Sequence, residues 1–426
     1  MSNLLKKFIK LATKYAQIDI HYIAKSSLWT SIDFTVGSFL SIILVVVFAN
    51  FLPKETYGVY KYILSLVGAL SFLTLSGINT AVIQATAKSG NNGILPYAVK
   101  LQFRWNFLYT LAMAGLGIYY FLNGNNLLAY ALWLMAVLFP LDVVFNTYGS
   151  FLAGKKEFKR VSIYSSISNT IQMSILITAA FLSDNVVLLI GVYSLFRIVP
   201  NFYFYLRTVR IFKSQPLSQP EKKEIFKFAK HLSFVHVLSI LAQHIDKIVV
   251  FHYLGAVELA VYGIAVSIPE RIRGYFKSIE TIMLPKISGK TVEEIKAVFY
   301  KRIWQGVLLG LSVSLVYILG APVIFKIFFP AYLESVPYSQ IFSLVLIFII
   351  PATYFSNIVK GHKMLKVIYA SSLGANILRI ILYVIFGRLW GIWGVITANL
   401  SLYFFGTIYN FILWEVEMKK RRTRFP

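Results

Sequence analysis

The chain has 426 residues, of which 58% are hydrophobic and only 14% charged, and its formal net charge is +25. A soluble protein of this length would carry about 25% charged residues, so the composition excludes an ordinary soluble enzyme. Cysteine is absent and the six histidines show no metal-ligand spacing, so we expect no disulfide, no metal site and no cofactor.

Apolar residues form blocks of about 20 residues, and one such block crosses the ~30 Å hydrocarbon core as a helix. The pattern predicts an all-α polytopic membrane protein with about 12 transmembrane helices. In chain order these spans are predicted at 27–52, 58–86, 98–121, 127–153, 161–182, 186–207, 230–254, 258–285, 303–328, 335–358, 367–387 and 390–414. Prolines such as Pro140 fall inside spans, where we expect neighbouring helices to satisfy the carbonyl groups that proline frees.

Lysine and arginine are distributed unevenly between the loops. With the N-terminus in the cytoplasm, 31 of the 42 Lys and Arg residues lie in inside segments, and only Lys54 and Arg388 lie in outside loops. Cytoplasmic loops of membrane proteins carry such an excess. The bias predicts a protein of the inner (plasma) membrane with both termini cytoplasmic. The net charge then fits loops that meet anionic membrane lipids, and we expect no nucleic-acid partner.

The longest cytoplasmic connection divides six predicted spans from six. We therefore expect a cytoplasmic amphipathic segment at 1–26, an N-lobe at 27–207, a cytoplasmic linker at 208–229, a C-lobe at 230–414 and a basic cytoplasmic tail at 415–426. Within the first segment, the apolar residues of Leu4–Tyr15 share one helical face and should lie flat on the membrane.

A second amphipathic stretch, at 217–230, offers Ser218 as an N-cap, with Pro220 in the first turn of the helix. Serine is a favoured N-cap residue, and proline is tolerated in the first turn because its missing N–H has no intrahelical partner there.

Two short sequence similarities relate the first six predicted spans to the last six. Residues 51–60 align without gaps on 253–262, and residues 154–159 align on 361–366. Both pairs occupy equivalent positions in the two halves. They predict a six-plus-six duplication, an architecture in which transporters place their site near the midplane between the repeats.

The stretches FLPKETYGVY at 51–60 and LSGINTAVIQ at 75–84 resemble the opening of polysaccharide-biosynthesis membrane proteins. These are the oligosaccharide (Wzx-like) flippases of the multidrug/oligosaccharidyl-lipid/polysaccharide exporter superfamily. Residues 246–265 resemble that family's seventh-to-eighth span signature, and 284–288 resemble the end of its eighth span. The two further spans usual in the related lipid II flippases are not predicted.

The resemblance implies two six-helix lobes around a central cavity, working by alternating access. It also implies a lipid-linked (polyprenyl-pyrophosphate) oligosaccharide as cargo, moved from the inner to the outer leaflet for cell-surface polysaccharide assembly. Membrane lipids and polysaccharide polymerases are the implied partners. No site residue is carried over from the family's motifs.

Charged side chains inside spans each cost about 2.5–3.5 kcal/mol unless they are paired or hydrated. Because arginine binds phosphate oxygens and stays charged when buried, we expect a cationic cavity that binds the pyrophosphate. Its candidate residues are Arg197, Arg273, Arg379, Arg271 and Lys247. The candidate polar lining is Asn146, Asn169, Gln243 and Asn376. The candidate carboxylates for coupling to H⁺ or Na⁺ are Asp33, Asp142, Asp246 and Glu270.

Other interpretations stay open at this point. The pairs Asp246–Lys247 and Glu270–Arg273 could simply hold helices together. A multidrug or other small-molecule secondary exporter of the same superfamily is the main alternative, although an exporter of organic cations should prefer carboxylates in its cavity. A membrane glycosyltransferase or ligase would show a large outside loop, whereas every predicted outside loop is short.

The charge asymmetry makes a topology prediction that the absence of native cysteine renders easy to test. Cysteines introduced at Asn125, Asn185 and Ala331 should react with an impermeant thiol reagent added from outside. Those at Ser89, Glu157 and Ser218 should not react. Labelling of the Ser218→Cys variant from outside would contradict the division into six and six spans.

Overall fold

The computed structural model describes residues 20–288, 292–361 and 364–424, and all regular secondary structure in these residues is helical. The amphipathic segment predicted at Leu4–Tyr15 lies outside them. Fifteen α-helices follow in chain order: α1 Ile20–Phe51, α2 Lys54–Leu70, α3 Ile78–Ser89, α4 Ile94–Trp105, α5 Phe107–Leu122, α6 Asn126–Phe145, α7 Thr147–Gly154, α8 Phe158–Leu182, α9 Val186–Ile211, α10 Gln219–Leu254, α11 Ala256–Ser288, α12 Val292–Phe328, α13 Ser335–Ser343, α14 Leu346–Gly361 and α15 Leu365–Arg424.

Each of the twelve predicted spans lies on these helices, and the predicted all-α membrane fold is confirmed. Nine helical segments of the described chain are long and apolar enough to cross a membrane. The third predicted span is missed by that criterion because it is divided at Asn106 into α4 and α5. The eighth, on α11, carries several charges. The last two spans are two helical segments of α15 that meet at Gly391, whose backbone angles (φ 58°, ψ −134°) are not helical.

Two of the proline breaks inside the helices are compensated by side chains of other helices. Pro140 has no N–H to offer the carbonyl of Ala136 one turn earlier, and the hydroxyl of Thr110 donates to that carbonyl at 2.8 Å. Pro322 likewise frees the carbonyl of Ile318, which accepts a hydrogen bond of 2.9 Å from the Gln340 side chain. Backbone groups in hydrocarbon need such partners. The expectation for Pro140 is therefore confirmed.

The start of α10 confirms a second expectation. Ser218 and Glu221 form a reciprocal capping box: the Ser218 hydroxyl accepts from the Glu221 N–H at 3.4 Å, and the Glu221 carboxylate accepts from the Ser218 N–H at 2.9 Å. Pro220 stands in the first turn, where its missing N–H is not needed.

The chain separates into two compact units. Unit 1 comprises Met1–Leu44 and Leu70–Val237, and unit 2 comprises Val45–Ala69 and Leu238–Pro426. The unit boundaries therefore cut through α1 and α10 and fall at the end of α2. The lobes predicted at 27–207 and 230–414 remain a prediction.

Unit 1 has a buried apolar core at the ends of α3, α4, α7 and α9, which includes Leu75, Val82, Phe151 and Phe204. Buried polar groups lie beside it. The amide of Gln102, fully buried, donates to the Thr74 carbonyl at 3.3 Å and accepts from the Thr147 hydroxyl at 2.8 Å. These bonds join the second, third and fourth predicted spans. They lie where the second span passes into a short 3₁₀ helix at Ser71–Thr74.

Unit 2 has its own apolar cluster, in which Phe299 of α12 stacks on Trp414 of α15 at a centroid distance of 4.7 Å. Its outward surface is strongly apolar, as shown by Leu319, which is 79% exposed. Large apolar side chains left uncovered at this density fit a surface that faces lipid rather than water.

Gly58 on α2 marks a close approach within unit 2. A Cβ atom at this position would lie 1.8 Å from the carbonyl oxygen of Ala256, the first residue of α11. No L side chain fits such a distance, so the glycine is required for the packing of α2 on α11.

We therefore expect Gly58→Ala to destabilise the protein by about 1–3 kcal/mol, the usual cost of overpacking. The matched control is Gly115→Ala on α5, where the added methyl would meet nothing within 4 Å. Thermal unfolding in detergent measures both. An unchanged midpoint for Gly58→Ala would contradict the tight packing.

Candidate functional site

A cavity of about 500 Å³ lies within unit 2, between segments of α1, α2, α10, α11 and α15. Its wall is rich in charge for a site inside membrane-spanning helices. The charged residues that line it are Lys61, Asp246, Lys247, Glu270, Arg271, Arg273 and Arg379. A charged side chain within a membrane-spanning helix cannot face lipid without a large cost. A hydrated cavity therefore explains why these side chains cluster.

Seven of the thirteen residues predicted as site candidates line this cavity. They are Arg271, Arg273, Arg379, Lys247, Gln243, Asp246 and Glu270. The structure places the others elsewhere: Arg197, Asp142, Asp33, Asn146 and Asn169 belong to unit 1, and Asn376 belongs to unit 2 but does not line the cavity.

Further cavity residues were not among the predicted site residues. They are Lys61, Ser65, His244, Ser267, Tyr383 and Asn399, together with small and apolar side chains. Lys61 stands at the outer end of the second predicted span (58–86), where lysine is commonly interfacial, and tyrosine is also common at membrane interfaces. The sequence spacing could have indicated Tyr383 as a cavity residue, because it follows Arg379 by four positions and so shares its helical face.

The Asp246 carboxylate is already occupied by neighbouring groups. Lys247 places its ammonium 3.3 and 3.1 Å from the two carboxylate oxygens, and the Tyr262 hydroxyl donates to one of them at 2.9 Å. Only 8% of Asp246 is exposed. A buried carboxylate held in this way is neutralised by its own chain.

Glu270 and Arg273 form a second internal pair, one helical turn apart on α11. The Arg273 guanidinium also donates to the Tyr403 hydroxyl of α15 at 2.7 Å and lies over that ring at 5.9 Å. Arg273 is therefore held on two sides. Its contact with Tyr403 ties α11 to α15 at the cavity wall.

Three cations of the cavity remain without a carboxylate. Among the described residues, no Asp or Glu lies within ion-pair distance of Lys61, Arg271 or Arg379. The Nε atom of Arg379 is buried and has no hydrogen-bond partner. Because the two carboxylates of the cavity wall are paired, these three cations leave the wall with a net positive charge suited to an anion.

A separate polar network lies in unit 1. The Arg197 Nε atom of α9 donates to Asp142 of α6 at 3.0 Å, and the Asn201 amide donates to the same carboxylate at 3.0 Å. Tyr148 and Ser168 both donate to the Asn201 side-chain oxygen, at 3.2 and 3.3 Å. Asp142 is buried, and the network joins four helices of unit 1: α6 and α9 through the carboxylate, and α7 and α8 through Asn201.

Three of the remaining candidates hydrogen-bond to serine side chains, and the fourth lies at the end of a helix. Asp33 accepts a hydrogen bond of 2.9 Å from Ser166, and the Asn169 amide donates to Ser165 at 3.3 Å. The Asn376 amide donates to Ser239 at 2.8 Å. Asn146 stands exposed at the junction of α6 and α7.

The network in unit 1 makes a testable distinction for Arg197. Removing only the arginine leaves a buried carboxylate without its cation, which costs about 3–5 kcal/mol. We expect Arg197→Gln to lower the yield of folded protein strongly, and the double variant with Asp142→Asn to recover most of it. Size-exclusion profiles of the membrane extracts measure this, with Arg388→Gln as the control at an exposed position.

A folded Arg197→Gln protein at wild-type yield would contradict the structural role. It would return Arg197 to the group of residues that act on the cargo.

The transporter fold matches that of a lipid II flippase MurJ in an inward closed conformation, with a TM-score of 0.73 at 17% identity over 92% of this chain and 87% of that one. It also matches an inward-facing multidrug resistance MATE transporter of the MOP superfamily, with a TM-score of 0.64 at 14% identity over 91% of this chain and 95% of that one.

At the sequence level, a Shigella flexneri protein whose name describes an O-antigen transporter is 21% identical over 321 residues, which is 72% of this chain and 77% of that protein. The sequence profile of the family described as "Polysaccharide biosynthesis protein" matches residues 23–291, well over half of the chain. The resemblance seen in the sequence is thereby confirmed: the chain belongs to the polysaccharide biosynthesis protein family of membrane transporters.

Proposed function

We propose that the protein is a flippase that moves a lipid-linked oligosaccharide, carried on a polyprenyl pyrophosphate, from the inner to the outer leaflet. The observation that carries this proposal is the cationic cavity of unit 2 in a member of a polysaccharide-biosynthesis family. A lipid-linked oligosaccharide combines an apolar chain, an anionic diphosphate and a polar glycan. A hydrated cationic cavity inside membrane helices offers the diphosphate the partner that lipid cannot.

The division of charge within the cavity supports an anionic cargo. Asp246 and Glu270 are bound by Lys247 and Arg273, so neither carboxylate is left to attract an organic cation. Lys61, Arg271 and Arg379 have no such partner among the described residues. Charge-assisted contacts from arginine to phosphate oxygens are the strongest hydrogen bonds that side chains offer. We assign the binding of the diphosphate to these three residues.

One sequence relative and one structural match support this proposal. The Shigella flexneri relative is named for O-antigen transport, and the matched MurJ structure is named for flipping lipid II. Export of a multidrug type is the alternative, since MATE transporters share the fold. The absence of an unpaired carboxylate among the described cavity residues argues against cationic drugs as cargo.

Lys61, Arg271 and Arg379 make the proposal testable in cells. Replacing any one with alanine removes a charge-assisted contact worth about 1.5–3 kcal/mol, so we expect cargo binding to weaken roughly ten- to a hundredfold. The measurement is surface glycan normalised to membrane protein level, together with lipid-linked sugar accumulating in the membrane. Arg388→Ala, on the exposed part of α15, should behave as wild type.

Normalised export near the wild-type level in all three alanine variants would contradict the assignment. If the same variants accumulated no lipid-linked sugar even when export fell, the cargo class itself would be wrong.

We further propose that transport is coupled to H⁺ or Na⁺, and that Asp33 is the first carboxylate to test. Three of the four candidate carboxylates are bound by an arginine or lysine. Asp33 is half-buried and receives a hydrogen bond from the Ser166 hydroxyl, but no cation among the described residues pairs with it. A half-buried carboxylate without a cation can take up a proton or a metal ion.

We expect Asp33→Asn to keep folded protein at the wild-type level while changing the dependence of export on pH or sodium. The control is Asp184→Asn, which changes a carboxylate in a loop. An unchanged dependence in the Asp33→Asn variant would remove Asp33 as a coupling residue.

The setting of this activity follows from the charge pattern of the loops. We propose the inner (plasma) membrane, with both termini cytoplasmic. Delivery of the cargo to the outer leaflet would supply a polysaccharide polymerase working on that side. The thiol-labelling pattern predicted for the introduced cysteines tests the orientation on which this depends.

A further inference from the structure

One helical face of α15 brings Arg379 and Tyr383 together on the cavity wall. The two residues are four positions apart and therefore lie one turn above each other on the same face. Both line the cavity. The Nε atom of Arg379 is buried without a hydrogen-bond partner. A buried N–H donor in this state is stabilised when an acceptor enters the cavity beside it.

Tyr383 presents a second donor at the same place. Its side chain is 3% exposed, and its hydroxyl oxygen accepts a hydrogen bond of 2.8 Å from the side-chain amide of Asn399. That bond uses an oxygen lone pair and leaves the O–H hydrogen available. No described residue accepts a hydrogen bond from this hydroxyl. Asn399 also lines the cavity. Through its hydrogen bond it holds the phenol oxygen from the second segment of α15.

The carboxylates of the cavity wall do not cancel the charge of Arg379. Asp246 is bound by Lys247 and Tyr262, and Glu270 is bound by Arg273. Each acidic group therefore has its own cation or hydroxyl donor. What remains beside Tyr383 is one permanently charged guanidinium with an unused N–H and one phenol with an unused O–H.

We propose that Arg379 and Tyr383, with Asn399 positioning the tyrosine hydroxyl, form a subsite that binds a single phosphate group through the Arg379 Nε–H and the Tyr383 O–H. Phosphate oxygens accept both kinds of donor, and the guanidinium supplies the compensating charge. The subsite deepens the proposed function and rests on it only for the identity of its ligand. The phosphate comes from the diphosphate of the lipid-linked cargo or from the headgroup of an anionic phospholipid.

Direct binding tests the subsite without transport. Inorganic diphosphate is titrated calorimetrically into the purified full-length protein in a neutral detergent. We expect Arg379→Gln to weaken its Kd about ten- to a hundredfold, and Tyr383→Phe to weaken it about two- to tenfold. Arg388→Gln and Tyr409→Phe change exposed residues of the two segments of α15 and should leave the Kd unchanged.

Wild-type Kd values in both Arg379→Gln and Tyr383→Phe, with each protein eluting as a folded species, would overturn the subsite. If Arg379→Gln fails to fold, Arg379→Lys replaces it. Lysine keeps the charge but lacks the planar fork, so the subsite predicts a loss of several-fold. Unchanged binding in Arg379→Lys and Tyr383→Phe together would equally overturn the proposal.

Competition identifies the source of the phosphate. Displacement of the bound diphosphate by farnesyl diphosphate assigns the subsite to the cargo, and displacement by phosphatidylglycerol assigns it to bilayer lipid. Both results support the subsite. Its failure and that of the proposed function remain distinguishable: a wild-type protein that binds diphosphate through these residues but moves no lipid-linked sugar would contradict the proposed function alone.

Discussion

An arginine or lysine held among membrane-spanning helices needs a carboxylate, an anion or water beside it, because hydrocarbon solvates none of its charge. The described helices meet this requirement in two ways. Arg197, Lys247 and Arg273 have a carboxylate of the same chain. Lys61, Arg271 and Arg379 have no carboxylate among the described residues, and they share the wall of a cavity of about 500 Å³ with Lys247 and Arg273. The second solution leaves charge that a ligand can use, and the proposed activity depends on it.

The paired charges fix the positions of side chains in the cavity wall. Arg273 reaches Tyr403 at 2.7 Å as well as Glu270, and Asp246 receives Tyr262 at 2.9 Å as well as Lys247. Each pair thus has an additional hydrogen bond with a tyrosine: Arg273 donates to the Tyr403 hydroxyl, and the Tyr262 hydroxyl donates to Asp246. Satisfied networks of this kind hold side chains in one arrangement. The cations without carboxylates are consequently displayed by a wall whose other charges are fixed.

Much of the fold could be predicted from the sequence, because a membrane helix must be long and apolar to cross the bilayer. All twelve predicted spans lie on helices, and Ser218 caps α10 through Glu221 as its position suggested. The i,i+3 pair Glu270–Arg273 was also accessible, since helical spacing puts the two on one face. Contacts between distant helices were not. Arg197 meets Asp142 across 55 positions, which no local pattern encodes.

The cavity itself shows where sequence reasoning stopped. Depth along a span was readable for Arg271, Arg273 and Arg379, but Lys61 resembled an interfacial lysine because its position near the end of a span fits either role. Tyr383 and Asn399 are ordinary residues of two apolar helical segments until the fold places one beside the other. Gly58 likewise has no local signature, because its requirement comes from the Ala256 carbonyl of another helix.

Reconstitution offers the most direct test of the central claim that the cationic cavity carries a lipid-linked oligosaccharide across the bilayer. Purified protein is placed in liposomes that contain a fluorescent polyprenyl-pyrophosphate oligosaccharide, and an impermeant quencher reports how much of it reaches the outer leaflet. We expect complete quenching with the wild-type protein and only the outer-leaflet fraction with a Lys61→Ala, Arg271→Ala, Arg379→Ala triple variant that is still folded. Equal quenching by wild-type protein and triple variant, or wild-type quenching no greater than in protein-free liposomes, would contradict it.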